Sequence, residues 1–346
     1  MYRVTTWPSL SAKPSMRALF SRTIALVAVA ALSWSAAAQA QSSRTLKIGY
    51  LLSKDSQLGA GATVFADEVA KRTGGKITVE QYPNAALGGE VEMMKALQLG
   101  TLDLAFITGA PLPNIVPDVG VFNIPFIFKN VEHAHAVLDG SIGQTYLDKF
   151  KAKDMVALAW GENGMRHLTN SKREIRTPAD LKGLKLRLPQ SEVMLIGFKA
   201  LGADPAPLPF PQLFGALQSG QFDGQENPIA TIQSAKFDQV QKYLTISGHV
   251  YDPAVFLASI DTFDELSDED KKAFIEAAKL GAQASRKFAA EALSKGVATL
   301  SQAGMKVTEG IDTKSFADAM ASAMPEYQKL FGAEIIGQIQ RTGSGS

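Results

Sequence analysis

Cysteine is absent from all 346 residues, and histidine occurs only four times. The first absence excludes disulfides, thiolate nucleophiles, cysteine-ligated zinc, iron–sulfur clusters and a cysteine-linked lipid anchor. The second leaves little material for a metal centre. His133 and His135 stand two apart and diverge on a helix, so they chelate only from an extended segment, while His167 and His249 read as polar core or cleft residues. Charge of one sign is also lacking. The chain carries 35 basic and 34 acidic side chains; leaving out Arg3, Lys13, Arg17 and Arg22 gives 31 against 34, which offers no electrostatic support for nucleic-acid binding. Catalytic motifs are missing too: there is no Gly-x-Ser-x-Gly elbow and no phosphate-binding Gly-x-x-x-x-Gly-Lys-Ser/Thr loop. Gly59-Ala60-Gly61 supplies two glycines of a dinucleotide fingerprint, but the third position falls on Val64. The expectation is a protein without cofactor or metal, and not an enzyme.

The longest early apolar run, Thr23 to Leu32, is too short to span a membrane. It follows Arg17 and Arg22 and precedes the small-residue sequence Ala38-Gln39-Ala40, so residues 1–40 read as a signal peptide cleaved after Ala40. Met16 reads as the true start, because the charges then sit just before the apolar run. The tail, residues 339–346, ends in Thr342-Gly343-Ser344-Gly345-Ser346 and reads as flexible.

The mature segment, about 300 residues, is long enough for two lobes with their own cores. Strand patterns at Leu46–Leu52, Ile77–Tyr82 and Leu102–Phe106 alternate with helical spacing at about 60–72 and 90–99, which implies a parallel sheet with covered faces. The second half repeats the logic with a strand at 184–188, a helix at 192–201, a helix at 211–218 and a strand at Phe222-Asp223. Ser267-Asp268-Glu269-Asp270 is a capping box. It opens a long helix whose stripe, Phe274, Ala277, Ala278, Gly281, Ala284, Phe288 and Ala292, is small-sided and suits close approach to other backbones.

One arginine stands out. Thr177-Pro178-Ala179-Asp180 starts a brief helix that Gly183 stops, and Leu184-Lys185-Leu186-Arg187-Leu188 then alternates, burying leucines on one face and turning Lys185 and Arg187 to the other. Pro189 ends the strand. In an open α/β sheet ligands gather beyond the carboxyl ends of parallel strands, where a guanidinium is a carboxylate receptor.

Around Arg187 lie Gly164-Met165-Arg166, Leu201-Gly202-Ala203, Pro207-Leu208-Pro209-Phe210, Ala216-Leu217-Gln218-Ser219-Gly220 and Phe222-Asp223-Gly224-Gln225-Glu226-Asn227-Pro228, preceded by Leu87-Gly88-Gly89-Glu90 and Gly100-Thr101-Leu102-Asp103. This ordered set resembles the solute-binding proteins of tripartite ATP-independent periplasmic (TRAP) transporters, of the dicarboxylate-binding-protein (DctP) type. The resemblance covers nearly all of the mature chain. It implies an α/β, two-lobed periplasmic binding protein with parallel-dominated sheets and a long helix spanning both lobes. Lobe I is expected at 41–163 and 253–293, and lobe II at 164–252 and 294–338. The expected function is a monomeric periplasmic receptor that holds an organic acid through Arg187 and delivers it to the small and large integral-membrane permease subunits. Arg166 is then a second ligand-contacting arginine. Asn227 can donate to a carboxylate and accept from a hydroxyl, Phe210 walls the pocket, and Glu90, starting a helix, faces either the ligand or the helix dipole.

Sialic-acid binders of this type are similar but carry asparagine where Leu51 stands and glutamate where Thr108 stands. Leu51, Ile107, Trp160 and Phe210 are therefore expected to make the cleft more apolar and to favour a smaller or less hydroxylated acid. Two other readings remain open: a carboxylate-binding module of a sensory system, and a secreted hydrolase or isomerase on the same scaffold.

Overall fold

The computed structural model describes residues 1–3, 5 and 43–343, and the chain from Arg44 onward packs as one compact unit. The expected leader, Met16 and the cleavage signal lie outside the described residues. Among the described residues no helix is long and apolar enough to cross a membrane.

The amino-terminal half follows its sequence pattern. Strand β1 (Arg44–Tyr50), helix α1 (Gln57–Arg72), strand β2 (Ile77–Tyr82), helix α2 (Glu90–Gln98) and strand β3 (Leu104–Thr108) form two crossover units in which β2 and β3 both pair with β1 in parallel. Ser56 caps α1 through its side chain, and the buried face of α1 presents Leu58, Ala62, Phe65 and Val69 to the sheet. Helices α3 (Val131–Leu138) and α4 (Ser141–Asp148) follow, so both His133 and His135 are helical and point apart. His133 bonds to the Ile339 carbonyl and His135 to Glu162.

The centre of the sheet is made by two strands that the sequence patterns did not reveal, β4 (Met155–Asn170) and β8 (Tyr243–Ser259). Between them come β5 (Lys185–Leu188), α5 (Glu192–Ala200), β6 (Asp204–Pro207), α6 (Leu213–Gln218), β7 (Gly224–Pro228) and α7 (Ile229–Ser234). Phe222 and Asp223 precede β7 instead of forming it. The order β2-β1-β3-β8-β4-β7-β5-β6, with β9 (Lys306–Thr308) on β8, makes one continuous sheet. Its flanks are parallel as expected; β3–β8, β8–β4 and β4–β7 are antiparallel. The two lobes are thus the two ends of one sheet, joined by long strands. Their ladder shifts register between Glu162 and Gly164 and again between Arg166 and Leu168, and Gly164 takes φ +128°, a backbone shape that side-chain-bearing residues rarely adopt.

After α8 (Ile260–Asp264), helix α9 (Asp268–Gln302) runs for 35 residues with Ser267 as its side-chain cap. Its small residues permit backbone contact at both ends of the sheet. A Cβ on Gly281 would stand 2.7 Å from the Gly61 carbonyl oxygen of α1, and one on Gly296 would collide with Ile229 of α7. Gly61 thus serves the packing of α1 against α9. Beyond Gly281 the buried stripe runs through Ala282, Ser285 and Ala289, displacing the expected Ala284, Phe288 and Ala292 by one position as the helix face drifts. Helices α10 (Thr313–Met320), α11 (Met324–Phe331) and α12 (Ala333–Arg341) close the fold. Ile339, placed by its sequence position in a flexible tail, is fully buried in α12.

Candidate functional site

Local sequence sets Arg187 in place. Asp180 accepts from the Thr177 amide at 2.8 Å, closing the capping box, and Gly183 at φ +72° turns the chain into β5. Leu184, Leu186 and Leu188 anchor one face in a core with Met194 and Phe198, which forces Arg187 to the other face. There it is 2% exposed. Its Nε and Nη2 both donate to the Leu208 carbonyl, at 2.8 and 2.6 Å, and the Phe210 ring lies 6.0 Å from its Cζ. A guanidinium has five N–H donors, so three remain. Among the described residues none of these has a protein partner, and no carboxylate pairs with Arg187. Burial, the main cause, pulls its pKa down from 12.5 to about 9.

Arg187 lines a narrow cavity of about 20 Å³. The elements around it bring together all five residues singled out in the sequence: Arg187 from β5, Arg166 from β4, Asn227 from β7, Glu90 from the start of α2, and Phe210 from the loop after β6. Leu51, Leu52, Thr108, Asn163, Pro189 and Thr231 complete the lining. Ile107 and Trp160, expected in the cleft, are instead core residues, and Trp160 donates to the Gly143 carbonyl. Their strand positions turn them away from the cavity.

Arg166 differs from Arg187 in having four of its five N–H donors engaged. Nε and Nη2 form a fork on Glu226 at 2.5 and 2.7 Å, Nη2 also reaches the Glu226 carbonyl at 2.8 Å, and Nη1 donates to Asp252 at 2.6 Å. One N–H is left. Burial alone would lower its pKa, but the two carboxylates more than reverse this and raise it. Burial pushes Glu226 upward, yet Arg166 outweighs it and holds Glu226 below its ordinary value; at Asp252 burial wins and the pKa rises. His249 lies behind this group, 3.1 Å from Glu226, and burial lowers its pKa. His167 is driven down to about 3 by burial and then by His249.

Glu90 is half-buried and its carboxylate accepts from the Thr108 amide at 2.7 Å and the Thr108 hydroxyl at 3.1 Å, so it bridges α2 to β3 instead of capping its own helix. Enclosure lifts it to about 7. Asn227 gives one amide hydrogen to Gln225 at 2.5 Å. Asn163 donates to Asp252 at 2.7 Å and accepts from Gln57 at 2.7 Å, tying α1 to the crossing of β4 and β8. Sequence reading missed Asn163, Thr231 and the carboxylates around Arg166. Only the polar run Glu162-Asn163-Gly164 inside an otherwise apolar strand could have signalled them.

Two larger depressions, of about 300 and 310 Å³, lie against α9. Their buried charges are paired: Arg286 with Asp139 at 2.7 Å, and Glu162 with His135 at 2.6 Å. Unpaired buried charge, not size, distinguishes the smaller cavity.

Comparison with known proteins agrees with this architecture. Residues 48–330 match the family model for bacterial extracellular solute-binding proteins, family 7 (DctP). A solute-binding protein of Verminephrobacter eiseniae is 45% identical over 95% of this chain and 97% of its own. A TRAP periplasmic solute-binding protein from Polaromonas sp. JS666, crystallised with D-erythronate, superposes with a TM-score of 0.86 at 48% identity, covering 87% of this chain and 99% of that one. The sugar acid binding protein DctPAm of Advenella mimigardefordensis, in complex with galactonate, superposes at 0.84 with 38% identity, over 87% and 98% of the two chains. With its long crossing strands, its spanning helix and these matches, the chain belongs to the bacterial extracellular solute-binding proteins of family 7, the DctP type of TRAP solute-binding protein.

Proposed function

We propose that this protein is a periplasmic receptor that encloses a small hydroxylated monocarboxylate between its two lobes and delivers it to a TRAP permease pair, without catalysing a reaction. The observation that carries this reading is Arg187: a buried guanidinium with three N–H donors left over and, among the described residues, no protein carboxylate bonded to it. Burying a charge is costly unless it is paired, and a carboxylate entering the cavity would pair it in the two-pronged geometry that guanidinium favours. The register shift between Glu162 and Gly164, opposite Pro253 and Asp252, supports lobe boundaries near 163/164 and 252/253.

The ligand class follows from donor accounting. Arg166 is committed to Glu226 and Asp252, so one carboxylate receptor is available and not two. Asn227, the Glu90 carboxylate and the remaining Arg166 N–H provide partners for hydroxyls. The relatives crystallised with D-erythronate and galactonate hold acids of this kind. The narrowness of the cavity, about 20 Å³, favours the shorter acid.

The test is calorimetric titration of D-erythronate, pantoate, D-galactonate and succinate into wild-type protein, Arg187→Ala and Arg187→Lys. Loss of a partner from a buried charge pair costs roughly 3–5 kcal/mol, so Arg187→Ala should weaken binding by about two to four orders of magnitude. Arg187→Lys keeps the charge but loses the fork, and should bind about tenfold or more weakly. Wild-type affinity in Arg187→Ala removes Arg187 from the site. Turnover of any acid in the titration cell ends the receptor reading.

A further inference from the structure

We propose that Glu90 takes up a proton when the acid binds, so that the cavity accepts a monoanion together with H⁺ and rejects a dianion. This rests on the receptor reading above and concerns the same cavity. The charge count motivates it. Two guanidinium groups, Arg166 and Arg187, line the cavity, and three carboxylates, Glu90, Glu226 and Asp252, line it or bond to Arg166. With every group ionised the site already carries one negative charge, and a bound carboxylate makes it two in an enclosed space.

Glu226 and Asp252 both accept from Arg166, whose charge pulls each carboxyl below where burial alone would put it. Glu90 has no such partner: its oxygens accept only from the Thr108 amide and hydroxyl, and among the described residues no ion pair reaches it. In the ligand-free protein the charge that favours its ionised form is Arg187, and the incoming carboxylate neutralises that charge. Desolvation, loss of the favourable cation and a new like charge all act in one direction, toward the protonated form. Once protonated, Glu90 turns from an acceptor into a donor and can hydrogen-bond the ligand. Of the other titratable groups behind the site, His249 bonds to Glu226 and not to Glu90, with its pKa lowered by burial, and His167 accepts from the Gly248 amide and is driven down to about 3.

The free carboxyl already stands at about 7, so the coupling falls in an accessible range. A group whose pKa rises on binding strengthens the complex fully below its free value, and that gain is lost as pH climbs through 7 toward the bound value. If the bound value lies about two units higher, uptake is about 0.8 proton per acid at pH 8 and under about 0.2 at pH 6, and affinity weakens about tenfold from pH 7 to 8.5.

D-Erythronate, pantoate, D-galactonate and succinate are titrated by calorimetry at pH 6 and 8 in buffers of contrasting ionisation enthalpy, which counts protons directly in the wild-type protein. The expected result is uptake at pH 8 for the acid that binds, weak succinate binding, and in Glu90→Gln both a flat pH profile and no uptake. Binding that depends on Arg187 but moves no proton overturns the proposal and leaves the receptor reading standing, as does uptake that persists in Glu90→Gln. Failure of all four acids to bind, or binding that survives Arg187→Ala, overturns the receptor reading and this proposal with it.

Discussion

Replacement of Arg187 by methionine tests whether the site is built at the expense of stability. In the protein without ligand, Arg187 remains charged at pH 7 although burial has lowered its pKa from 12.5 to about 9. At about 1.4 kcal/mol per unit, that displacement corresponds to a folding penalty of roughly 5 kcal/mol. Against it stand the two bonds to the Leu208 carbonyl, together about 2–3 kcal/mol, which methionine forfeits while leaving that carbonyl with one partner fewer. Methionine fills similar volume and packs against Phe210 and Leu52, both at the cavity wall. The balance predicts that Arg187→Met stabilises the ligand-free protein by about 1–3 kcal/mol, in line with exchanges of buried charge for apolar volume. For a chain of this size that is a rise in Tm of about 2–6 °C. Scanning calorimetry without and with a binding acid measures both halves of the argument. The wild-type protein should gain about 2.7 kcal/mol at a hundred times the dissociation constant, and the variant nothing. A ligand-free Arg187→Met protein less stable than wild type by 1 kcal/mol or more would show that the guanidinium is satisfied by the fold, and the electrostatic case for an anion site would fail.

Arg166 should behave in the opposite way: Arg166→Met strands Glu226 and Asp252 without their cation, costing about 3–5 kcal/mol in urea unfolding, and a neutral outcome would refute the reading of Arg166 as a network hub. His167 is buried neutral with a pKa of about 3, so the folded state binds fewer protons than the unfolded state below about 6.5; its stabilising contribution is whole above that pH and declines by about 1.4 kcal/mol per unit on acidification. The loss between pH 7 and 5 should therefore shrink by about 2 kcal/mol in His167→Asn, and an identical loss in both proteins would count against it. Gly281→Ala pushes a methyl group to 2.7 Å from the Gly61 oxygen and 2.9 Å from the Phe256 ring, so thermal melts should show a loss of about 1–3 kcal/mol; an unchanged melt would mean that α9 is free to shift.

Much was determined by local sequence alone. The crossover units of the amino-terminal half and the strand carrying Arg187 were legible because their periodicity, caps and glycine stops act over a few residues and need no distant partner. The Ser267 cap and the small-sided stripe of α9 were legible for the same reason, though only the contacts with Gly61 and Ile229 showed what the stripe is for. The five candidate residues were found through ordered motifs, and the fold gathers them around one cavity.

Tertiary structure decided the rest. Strands β4 and β8 are buried on both faces, so no alternation marks them, and Gly161, Gly164, Gly248 and Pro253 interrupt them as if they were loops. Their pairing with each other, and with β3 and β7 on either side, makes them strands, because these ladders satisfy backbone groups that local signals would have left in turns. That pairing brings Asp252 and Glu226 onto Arg166, residues far apart in the chain. Sequence presented Arg187 as the anchor and Arg166 as a second ligand-contacting arginine. The fold bonds two carboxylates to Arg166 and none to Arg187, and the proposed anion site rests on that difference in partners.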